Sequence, residues 1–364
     1  MGASERGAEV REYRVAVIPG DGIGQEVIPE GLKALAAAGE RFGFRCACTH
    51  FPWGSDYYYR TGAMMPPDGL DTLRPFDAIY FGAVGWPTVP DHVSLWGLRL
   101  AICQGFDQFA NVRPARLLPG VRGPLSDKGP ADFDLVVVRE NSEGEYAGAG
   151  GRVRRGTAEE IALQTAVFSR RAVERVIEYA FALAERRPRR KVTSITKSNA
   201  QAYSMTLWDE VFAEVAARHA AIETESWLVD AATVRFVLHP ETLDVVVASN
   251  LFADILTDLA GALSGSLGLA PSANLDPTRR HPSMFEPVHG SAPDIAGKGI
   301  ANPIAAVWSA ALLLDHLGEA DAAAAITEAI AAVTARGAVL TPDLGGAATT
   351  TQVGDAIVAA LAGT

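Results

Sequence analysis

Short runs of apolar and β-branched residues alternate along this chain with longer segments of helical periodicity. The strand-like runs lie at 15–18, 78–83, 135–138, 191–195 and 244–248. The helical segments lie at 26–41, 166–184, 204–218 and 304–317, and loops rich in Pro, Gly and Asp are predicted at 68–73, 119–134 and 272–282. Such alternation predicts an α/β fold. Because 364 residues exceed one ordinary hydrophobic core, two lobes are expected.

Composition restricts the compartment and the partners. The hydrophobic content of 48% favours a globular protein, and the net charge of −11 argues against nucleic acid. Three cysteines, Cys46, Cys48 and Cys103, form neither a Cys-x-x-Cys pair nor an even set, so no disulfide framework or zinc site is expected. The segment 1–14 is too polar for a secretory signal, and no apolar stretch is long enough for a membrane span. We therefore expect a cytoplasmic protein.

Two acidic residues, Asp254 and Asp258, stand four positions apart in an apolar run. In a helix this spacing places both carboxylates on one face, one turn apart. Their mutual repulsion favours a cation between them, and oxygen ligands suit Mg²⁺ or Mn²⁺. The alternative is a helix beginning whose acids serve the helix dipole or face solvent.

The turn after the first predicted strand contains Gly20, Gly22 and Gly24. A dinucleotide fingerprint has the spacing Gly-x-Gly-x-x-Gly, and here the third glycine comes one residue early. This turn therefore indicates only a sharp bend or a close approach of backbone to another group.

Three basic residues follow or end predicted strands. Arg113 and Arg139 could bind carboxylates through two parallel hydrogen bonds, whereas a surface ion pair is the more common role of an arginine. Lys197 follows an apolar strand, where burial and cationic neighbours can lower the pKa of a lysine enough for general-base catalysis. The alternative is a lysine that simply extends into solvent.

Six strings spread over nearly the whole chain resemble the β-decarboxylating dehydrogenases of the isocitrate and isopropylmalate dehydrogenase family. They are IPGDGIG at 18–24, NVRP at 111–114, RENSEGEY at 139–146, TKSN at 196–199, NLFADILTD at 250–258 and FEPVHGSAPD at 285–294. Within the family, segments 51–67 and 80–97 most resemble the tartrate and D-malate dehydrogenases.

The resemblance implies a two-lobed α/β fold with one central sheet running through both lobes, which is not a Rossmann fold. One lobe, for the cofactor, would comprise residues 1–108 and 266–364. The other, comprising residues 109–265, would hold the substrate, the metal and the dimer interface. The family forms homodimers with shared active sites, and segment 148–156 is expected in the dimer arm.

The resemblance also implies roles for the site residues. Arg113 and Arg139 would bind the carboxylates of a 2-hydroxy dicarboxylic acid, and Lys197 and Tyr146 would be the catalytic base and acid. Mn²⁺ or Mg²⁺ would be held by three aspartates, Asp254 and Asp258 of one subunit and Asp230 of the other. Lys197 would likewise act in the neighbouring subunit's site.

For the cofactor, the resemblance implies NAD rather than NADP, since the carboxylate of Asp294 would repel a 2′-phosphate. A monovalent cation is a further candidate. The residues expected to contact NAD are Glu286, His289, Gly290, Ser291, Ala292, Asp294 and Asn302.

One departure from the family pattern affects the substrate. Most relatives carry a third substrate arginine ten residues before Arg113, where this chain has Cys103. Arg99, one helical turn earlier, could supply the missing charge, because residues at i and i+4 share a helix face. A cation beside the β-carbon would oppose an isopropyl group, which favours tartrate or D-malate as substrate, with D-malate giving pyruvate and CO₂.

Other functions stay open at this point. Within the family, 3-isopropylmalate dehydrogenase is one alternative, and an enzyme for a malate with an acidic β-substituent, such as isocitrate, homoisocitrate or a phosphonate analogue, is another. Outside catalysis, the chain could be a non-catalytic regulatory subunit, although such subunits can lose catalytic residues that are all present here.

Overall fold

A computed structural model describes residues 10–363 and contains twelve strands and twelve α-helices in that range. The strands are β1 Arg11–Gly20, β2 Phe44–His50, β3 Ala78–Ala83, β4 Ala110–Arg116, β5 Asp134–Glu140, β6 Gly144–Val153, β7 Ile161–Val167, β8 Lys191–Thr196, β9 Glu223–Leu228, β10 Val245–Ala248, β11 Pro271–Leu275 and β12 Ser283–Pro287. The α-helices are α1 Gly24–Phe42, α2 Ser55–Thr61, α3 Gly69–Leu73, α4 Asp91–Ser94, α5 Leu100–Gly105, α6 Arg170–Glu185, α7 Ser204–Arg218, α8 Val229–Leu238, α9 Asn250–Leu263, α10 Ile304–Leu317, α11 Ala320–Arg336 and α12 Thr350–Gly363. A π-helical turn, Leu95–Arg99, precedes α5.

Ten strands form one continuous sheet, in the order β2-β1-β3-β12-β11-β4-β5-β10-β8-β9. Neighbouring strands are parallel except around β4 and β11, which are antiparallel to each other, and β4 is also antiparallel to β5 and β11 to β12. The remaining strands, β6 and β7, form a separate antiparallel hairpin. This confirms the predicted α/β class with a central sheet, and the mixed strand order differs from that of a Rossmann fold.

The helices predicted at 204–218 and 304–317 are confirmed as α7 and α10. The helix predicted at 166–184 is wrong at its start, because β7 extends to Val167 and α6 begins at Arg170. Ser169 lies between them with extended backbone, and its side chain accepts a hydrogen bond from the Ala172 amide, which stabilises the helix beginning there.

Two predicted loops contain regular structure. Residues 69–73 of the predicted loop 68–73 form the short helix α3. Residues up to Leu275 of the predicted loop 272–282 belong to β11, which hydrogen-bonds to β4 on one side and β12 on the other. Pairing with distant strands overrides the weak local strand propensity of this segment.

Helices α1, α10, α11 and α12 pack together against the sheet around one large apolar core. A second core lies around α6, α7 and the strands β5, β8 and β10. Along β4, Val112 belongs to the first core, whereas the neighbouring Arg113 faces the opposite side of the sheet. The sheet thus separates an apolar core from a charged cavity. The division into lobes 1–108 with 266–364 and 109–265 stays a prediction.

No helix within residues 10–363 has the length and apolar content needed to cross a bilayer. Residues 1–9, which form most of the segment expected to lack a secretory signal, lie outside the described range.

Gly31 lies in the middle of α1, where glycine is normally unfavourable. A Cβ atom at this position would lie 1.7 Å from Oη of Tyr80, a buried tyrosine of β3 whose hydroxyl donates to the carbonyl of Ala306. Gly31 therefore allows α1 to pack closely on the sheet.

We expect Gly31→Ala to destabilise the fold by about 1–3 kcal/mol, because overpacking against Tyr80 outweighs the gain of about 1 kcal/mol in helix propensity. Tyr80→Phe in the same background should recover part of the loss, and denaturant unfolding of the four members of this mutant cycle measures the coupling. A Gly31→Ala variant at least as stable as the parent would contradict the packing argument.

Candidate active site

One cavity of about 200 Å³ collects eight of the residues predicted to form the site. It lies between the final residues of β3, β5 and β12, the middle of β4, the beginning of β6, the π-helical turn and α9. The predicted residues that line it are Arg99, Arg113, Arg139, Tyr146, Asp254, Glu286, His289 and Gly290. Residues from 99 to 290 thus converge in one cavity beside the central strands of the sheet.

Asp254 is the centre of the cavity's charged network. Its carboxylate accepts hydrogen bonds from the Tyr146 hydroxyl at 2.9 Å, from Nη1 of Arg113 at 3.3 Å and from Nη1 of Arg139. Burial opposes ionisation of Asp254, but Arg139 and Arg113 outweigh it and lower the carboxyl pKa. Burial and the Asp254 charge raise the pKa of Tyr146, so its hydroxyl keeps its proton at neutral pH.

The two arginines predicted to bind substrate are almost fully buried. Arg139 donates to Oδ1 of Asn250 at 2.7 and 3.0 Å, and its guanidinium lies 5.1 Å from the centre of the Tyr146 ring. Arg113 donates to the Thr257 hydroxyl at 2.6 Å, whereas its Nε has no partner within the described chain. Burial and the nearby Arg139 lower the pKa of Arg113 to about 10. Incompletely satisfied buried cations of this kind suit an anionic ligand.

Asp258 stands one turn after Asp254 on α9, as the spacing predicted. Burial raises the pKa of its carboxyl group, and Arg113 only partly offsets this effect. Two acidic side chains on one helix face, with one of them poorly compensated, fit a hard divalent cation. In residues 10–363 no third His, Cys, Asp or Glu completes a cluster with metal-binding geometry.

Lys197 and Asp230 lie outside this cavity and contact each other. Lys197 Nζ donates to Oδ1 of Asp230 at 2.6 Å, and this hydrogen bond lowers the carboxyl pKa. Lys197 follows β8 and Asp230 lies in the first turn of α8. The chain by itself therefore does not bring these two predicted residues to Asp254.

Arg99 forms a buried ion pair with Glu286. Nε and Nη2 of Arg99 lie 2.8 and 2.7 Å from Oε1, and Nε also lies 3.1 Å from Oε2. Burial disfavours the charge of Arg99, but Glu286 outweighs this effect and raises the guanidinium pKa. Cys103 is buried next to the pair, and burial raises its thiol pKa to about 11. Glu286, which was expected to contact the cofactor, is therefore fixed in position by its ion pair with Arg99.

An asparagine cluster supports this ion pair. Asn274 donates to Oε1 of Glu286 at 2.7 Å, while its own Oδ1 accepts from Arg99, Asn111 and Asn141 at 3.3, 2.9 and 3.1 Å. Because the acceptor and donor atoms of Asn274 are both used, the amide orientation is determined by its neighbours.

The predicted cofactor residues divide into two groups. Glu286, His289 and Gly290 line the cavity, and Nε2 of His289 is buried without a partner in the described chain. Burial lowers the pKa of His289, which keeps the ring neutral. The others do not line the cavity. Ser291 is buried, Ala292 has a φ of 40°, Asp294 is exposed, and Asn302, two residues before α10, accepts a hydrogen bond from the Ile304 amide at 3.0 Å.

The glycine-rich turn contacts protein backbone. A Cβ on Gly22 would lie 2.0 Å from the Ser291 carbonyl oxygen, which accepts from the Ile23 amide at 2.9 Å. The Asp21 carboxylate accepts from Ser55 and from the Gly85 amide at 2.7–2.8 Å. The close approach predicted for this turn is therefore to the backbone of Ser291, which the turn contacts through Gly22 and Ile23.

Asn250, Thr257 and Asn274 are among the residues of the network that were not predicted as site residues. The first two lie in the string 250–258, on the same helix as the predicted aspartates, so their helical spacing was a usable signal. Asn274 lies in a segment predicted as loop, and only its pairing with distant strands brings it to Glu286.

Comparison with known proteins agrees with this architecture. A family model described as isocitrate/isopropylmalate dehydrogenase matches residues 14–357. A probable tartrate dehydrogenase/decarboxylase of Agrobacterium vitis is 60% identical over 97% of this chain and 99% of that protein. The decarboxylating D-malate dehydrogenase of Escherichia coli K12 is 54% identical, over 96% of this chain and 98% of that protein.

Solved structures are similar as well. The crystal structure of isocitrate dehydrogenase from Methylococcus capsulatus superimposes with a TM-score of 0.86 at 36% identity, over 96% of this chain and 99% of that chain. The match covers both parts of the central sheet and the segments that line the cavity. This chain belongs to the isocitrate/isopropylmalate dehydrogenase family.

Proposed function

We propose that this protein is an NAD-dependent and divalent-metal-dependent β-decarboxylating dehydrogenase whose substrate is a 2-hydroxy dicarboxylic acid, tartrate or D-malate. The observation that carries the proposal is the cavity in which Arg113, Arg139 and Tyr146 meet around Asp254. The names of the relatives at 54–60% identity support the substrate class.

Arg113 and Arg139 bind the substrate carboxylates in this proposal. Both guanidinium groups lie at the cavity wall, and both now share the carboxylate of Asp254. A substrate carboxylate can take the same planar donors in bidentate fashion. The buried position of the arginines strengthens this interaction, since little water competes for them.

The reaction then needs one base and one acid from the protein. Lys197 of the second subunit would accept the proton of the C2 hydroxyl, and NAD, when bound, would supply the hydride acceptor for the oxidation. The β-carboxylate leaves as CO₂, and Tyr146 donates its proton to the carbon that carried it. The raised pKa of Tyr146 suits this role, because an acid must hold its proton until that step.

A divalent cation held by Asp254, Asp258 and the partner subunit's Asp230 would polarise the substrate oxygens during oxidation and decarboxylation. Asp254 is already ionised by its arginine neighbours. Burial raises the carboxyl pKa of Asp258, so protons compete with a divalent ion for this carboxylate more strongly than for an unperturbed aspartate.

The proposed NAD site comprises Glu286, His289, Gly290, Ser291, Ala292, Asp294 and Asn302. The unpartnered Nε2 of the neutral His289 fits a hydrogen bond to a nucleotide base. Asp294 is exposed, so its carboxylate can bind ribose hydroxyls and repel a 2′-phosphate. A monovalent cation stays a prediction without a residue assigned to it.

A homodimer completes the site in this proposal. Lys197 and Asp230 already form a pair outside the cavity, and α8, which carries Asp230, packs against α9. Apolar side chains on this side of the molecule are more than a third exposed, which is typical of a surface that another subunit covers. They are Val153, Ile161, Leu163 and Val167 of the hairpin, Val234 and Leu238 of α8, and Leu251 and Ile255 of α9.

A purified sample should form NADH with Mn²⁺ and D-malate or a tartrate stereoisomer, and chelation should stop the reaction. Tyr146→Phe should lower the rate of decarboxylation by about 10²–10⁴-fold because the carbon loses its proton donor. Tyr59→Phe, at an exposed tyrosine outside the cavity, is the matched control. A parent enzyme silent on both substrate types, or active only on 3-isopropylmalate or isocitrate, would contradict the proposed substrate class. Total inactivity would instead favour a regulatory subunit.

Mn²⁺ affinity should fall as pH decreases, since the raised pKa of Asp258 makes protons stronger competitors for that carboxylate. Asp258→Asn should weaken Mn²⁺ binding by about 100-fold or more and reduce its pH dependence. Electron paramagnetic resonance of free Mn²⁺ measures both without turnover. Asp71→Asn on α3 is the surface control, and equal Mn²⁺ affinity in both variants would remove Asp258 from the metal site.

Shared sites can be tested by mixing two inactive proteins. Lys197→Met and Tyr146→Phe each disable both sites of a homodimer, but a mixed dimer has one site with both residues intact. Random pairing should restore about a quarter of the parent activity, because half of the dimers are mixed in a symmetric assembly. No recovery after verified subunit exchange, or full activity from a monomer in sedimentation, would show that each chain works alone.

A further inference from the structure

We propose that Arg99 and Glu286 act as one neutral, hydrogen-bonding pair that contacts the β-substituent of the substrate. This pair would select a dianionic acid with a β-hydroxyl group, tartrate, over a tricarboxylate or an alkyl-substituted malate. The inference rests on the proposed function and assigns the specificity within it to two residues.

The first support is that Arg99 is not a bare cation. Glu286 contacts its guanidinium at 2.7–3.1 Å, and the side chains of Arg99 and Glu286 are only 12% and 6% exposed. At this depth the two charges offset each other, with little screening by water. A substrate carboxylate placed beside the pair would gain attraction from Arg99 and suffer repulsion from Glu286 at nearly the same distance.

The second support is the charge balance of the whole site. Three guanidinium groups, those of Arg99, Arg113 and Arg139, stand against three acidic side chains, those of Asp254, Asp258 and Glu286. The pair of Lys197 and Asp230, if donated by a second subunit, adds no net charge. A bound divalent cation would then leave two positive charges in excess, and the two carboxylates of a dianionic substrate would balance them. A third carboxylate would be buried without compensation, which is costly.

The third support is the hydrogen-bonding character of the pair. A hydroxyl group both donates and accepts, so it can accept from Arg99 and donate to Glu286. A hydrogen atom at the β-carbon makes neither bond, and an isopropyl group would displace water from both charged groups without replacing its hydrogen bonds. The expected order is therefore tartrate, then D-malate, then 3-isopropylmalate.

The pair is also held in place before substrate arrives. Asn274 donates to Glu286 and accepts from Arg99, and Asn111 and Asn141 determine its orientation. Arg99 ends the π-helical turn, and the small side chain of Cys103 is buried beside it. A rigid pair discriminates better than a mobile one, because the wrong substrate cannot induce a rearrangement.

The test compares substrates within each protein, so that any effect of Glu286 on NAD binding cancels. The quantities are kcat/KM for the best tartrate stereoisomer, D-malate and isocitrate at saturating NAD and Mn²⁺. Glu286→Gln leaves Arg99 uncompensated and should raise the isocitrate-to-tartrate ratio at least about tenfold. The double change Arg99→Met with Glu286→Leu removes both polar partners and should lower the tartrate-to-D-malate ratio at least about tenfold.

Asp71→Asn, which removes one negative charge at an exposed position, is the control and should leave both ratios within about twofold of the parent. Calorimetric Kd values for tartrate and D-malate in the presence of NADH give the same ratios if a variant is too slow to assay. Unchanged ratios in both variants would overturn the role of the pair while the proposed function stands. A parent protein that turns over neither tartrate nor D-malate would overturn both.

Discussion

The contact on which the site depends is the carboxylate of Asp254 between two buried guanidinium groups. Without Asp254, Arg113 and Arg139 would face each other in a poorly hydrated cavity, and their repulsion would oppose folding. Asp254 also accepts a hydrogen bond from the Tyr146 hydroxyl, so one side chain positions two cations proposed to bind substrate and one candidate acid. The same ion pairs of Asp254 therefore stabilise the folded chain and keep both guanidinium groups in place for an anionic ligand.

The other buried ionic groups of the site form hydrogen bonds with neutral amide side chains. Asn250 accepts from Nε and Nη2 of Arg139, and Asn274 connects the pair of Arg99 and Glu286 to β4 and to Asn141, the residue after β5. Amides suit this task because each supplies donors and an acceptor and carries no net charge. They connect ionic groups from distant parts of the chain without changing the charge balance that a ligand meets.

The spacing of residues and short sequence motifs were enough to predict those features that depend on neighbouring residues in the chain. The four-residue spacing of Asp254 and Asp258 predicted one helix face, and the structure has both on α9. The alternation of segments predicted the α/β class. Motif resemblance selected Arg113, Arg139 and Tyr146, which do line one cavity.

Long-range pairing could not be predicted in the same way. Arg99 and Glu286 are separated by 187 positions, and nothing in either neighbourhood indicates the other. The strand β11 was predicted as loop because its stability comes from two neighbouring strands rather than from its own residues. In the proposed homodimer, Lys197 and Asp230 would reach the Asp254 of a second chain, and the pairing of two chains cannot be read from a single sequence.

The continuous sheet has a mechanical consequence. Within residues 10–363, the strands β2, β1, β3, β12 and β11 are joined to the strands β4, β5, β10, β8 and β9 only where β11 pairs with β4, over three residue pairs from Ala110 to Val112. Motion of one half against the other must pass through this short ladder as a change in strand twist, since a sheet has no free hinge. The Asn111–Asn274 hydrogen bond crosses the same ladder. A change in the width of the cavity that twists this ladder would therefore shift Asn111 and Asn274, the second of which donates a hydrogen bond to Glu286.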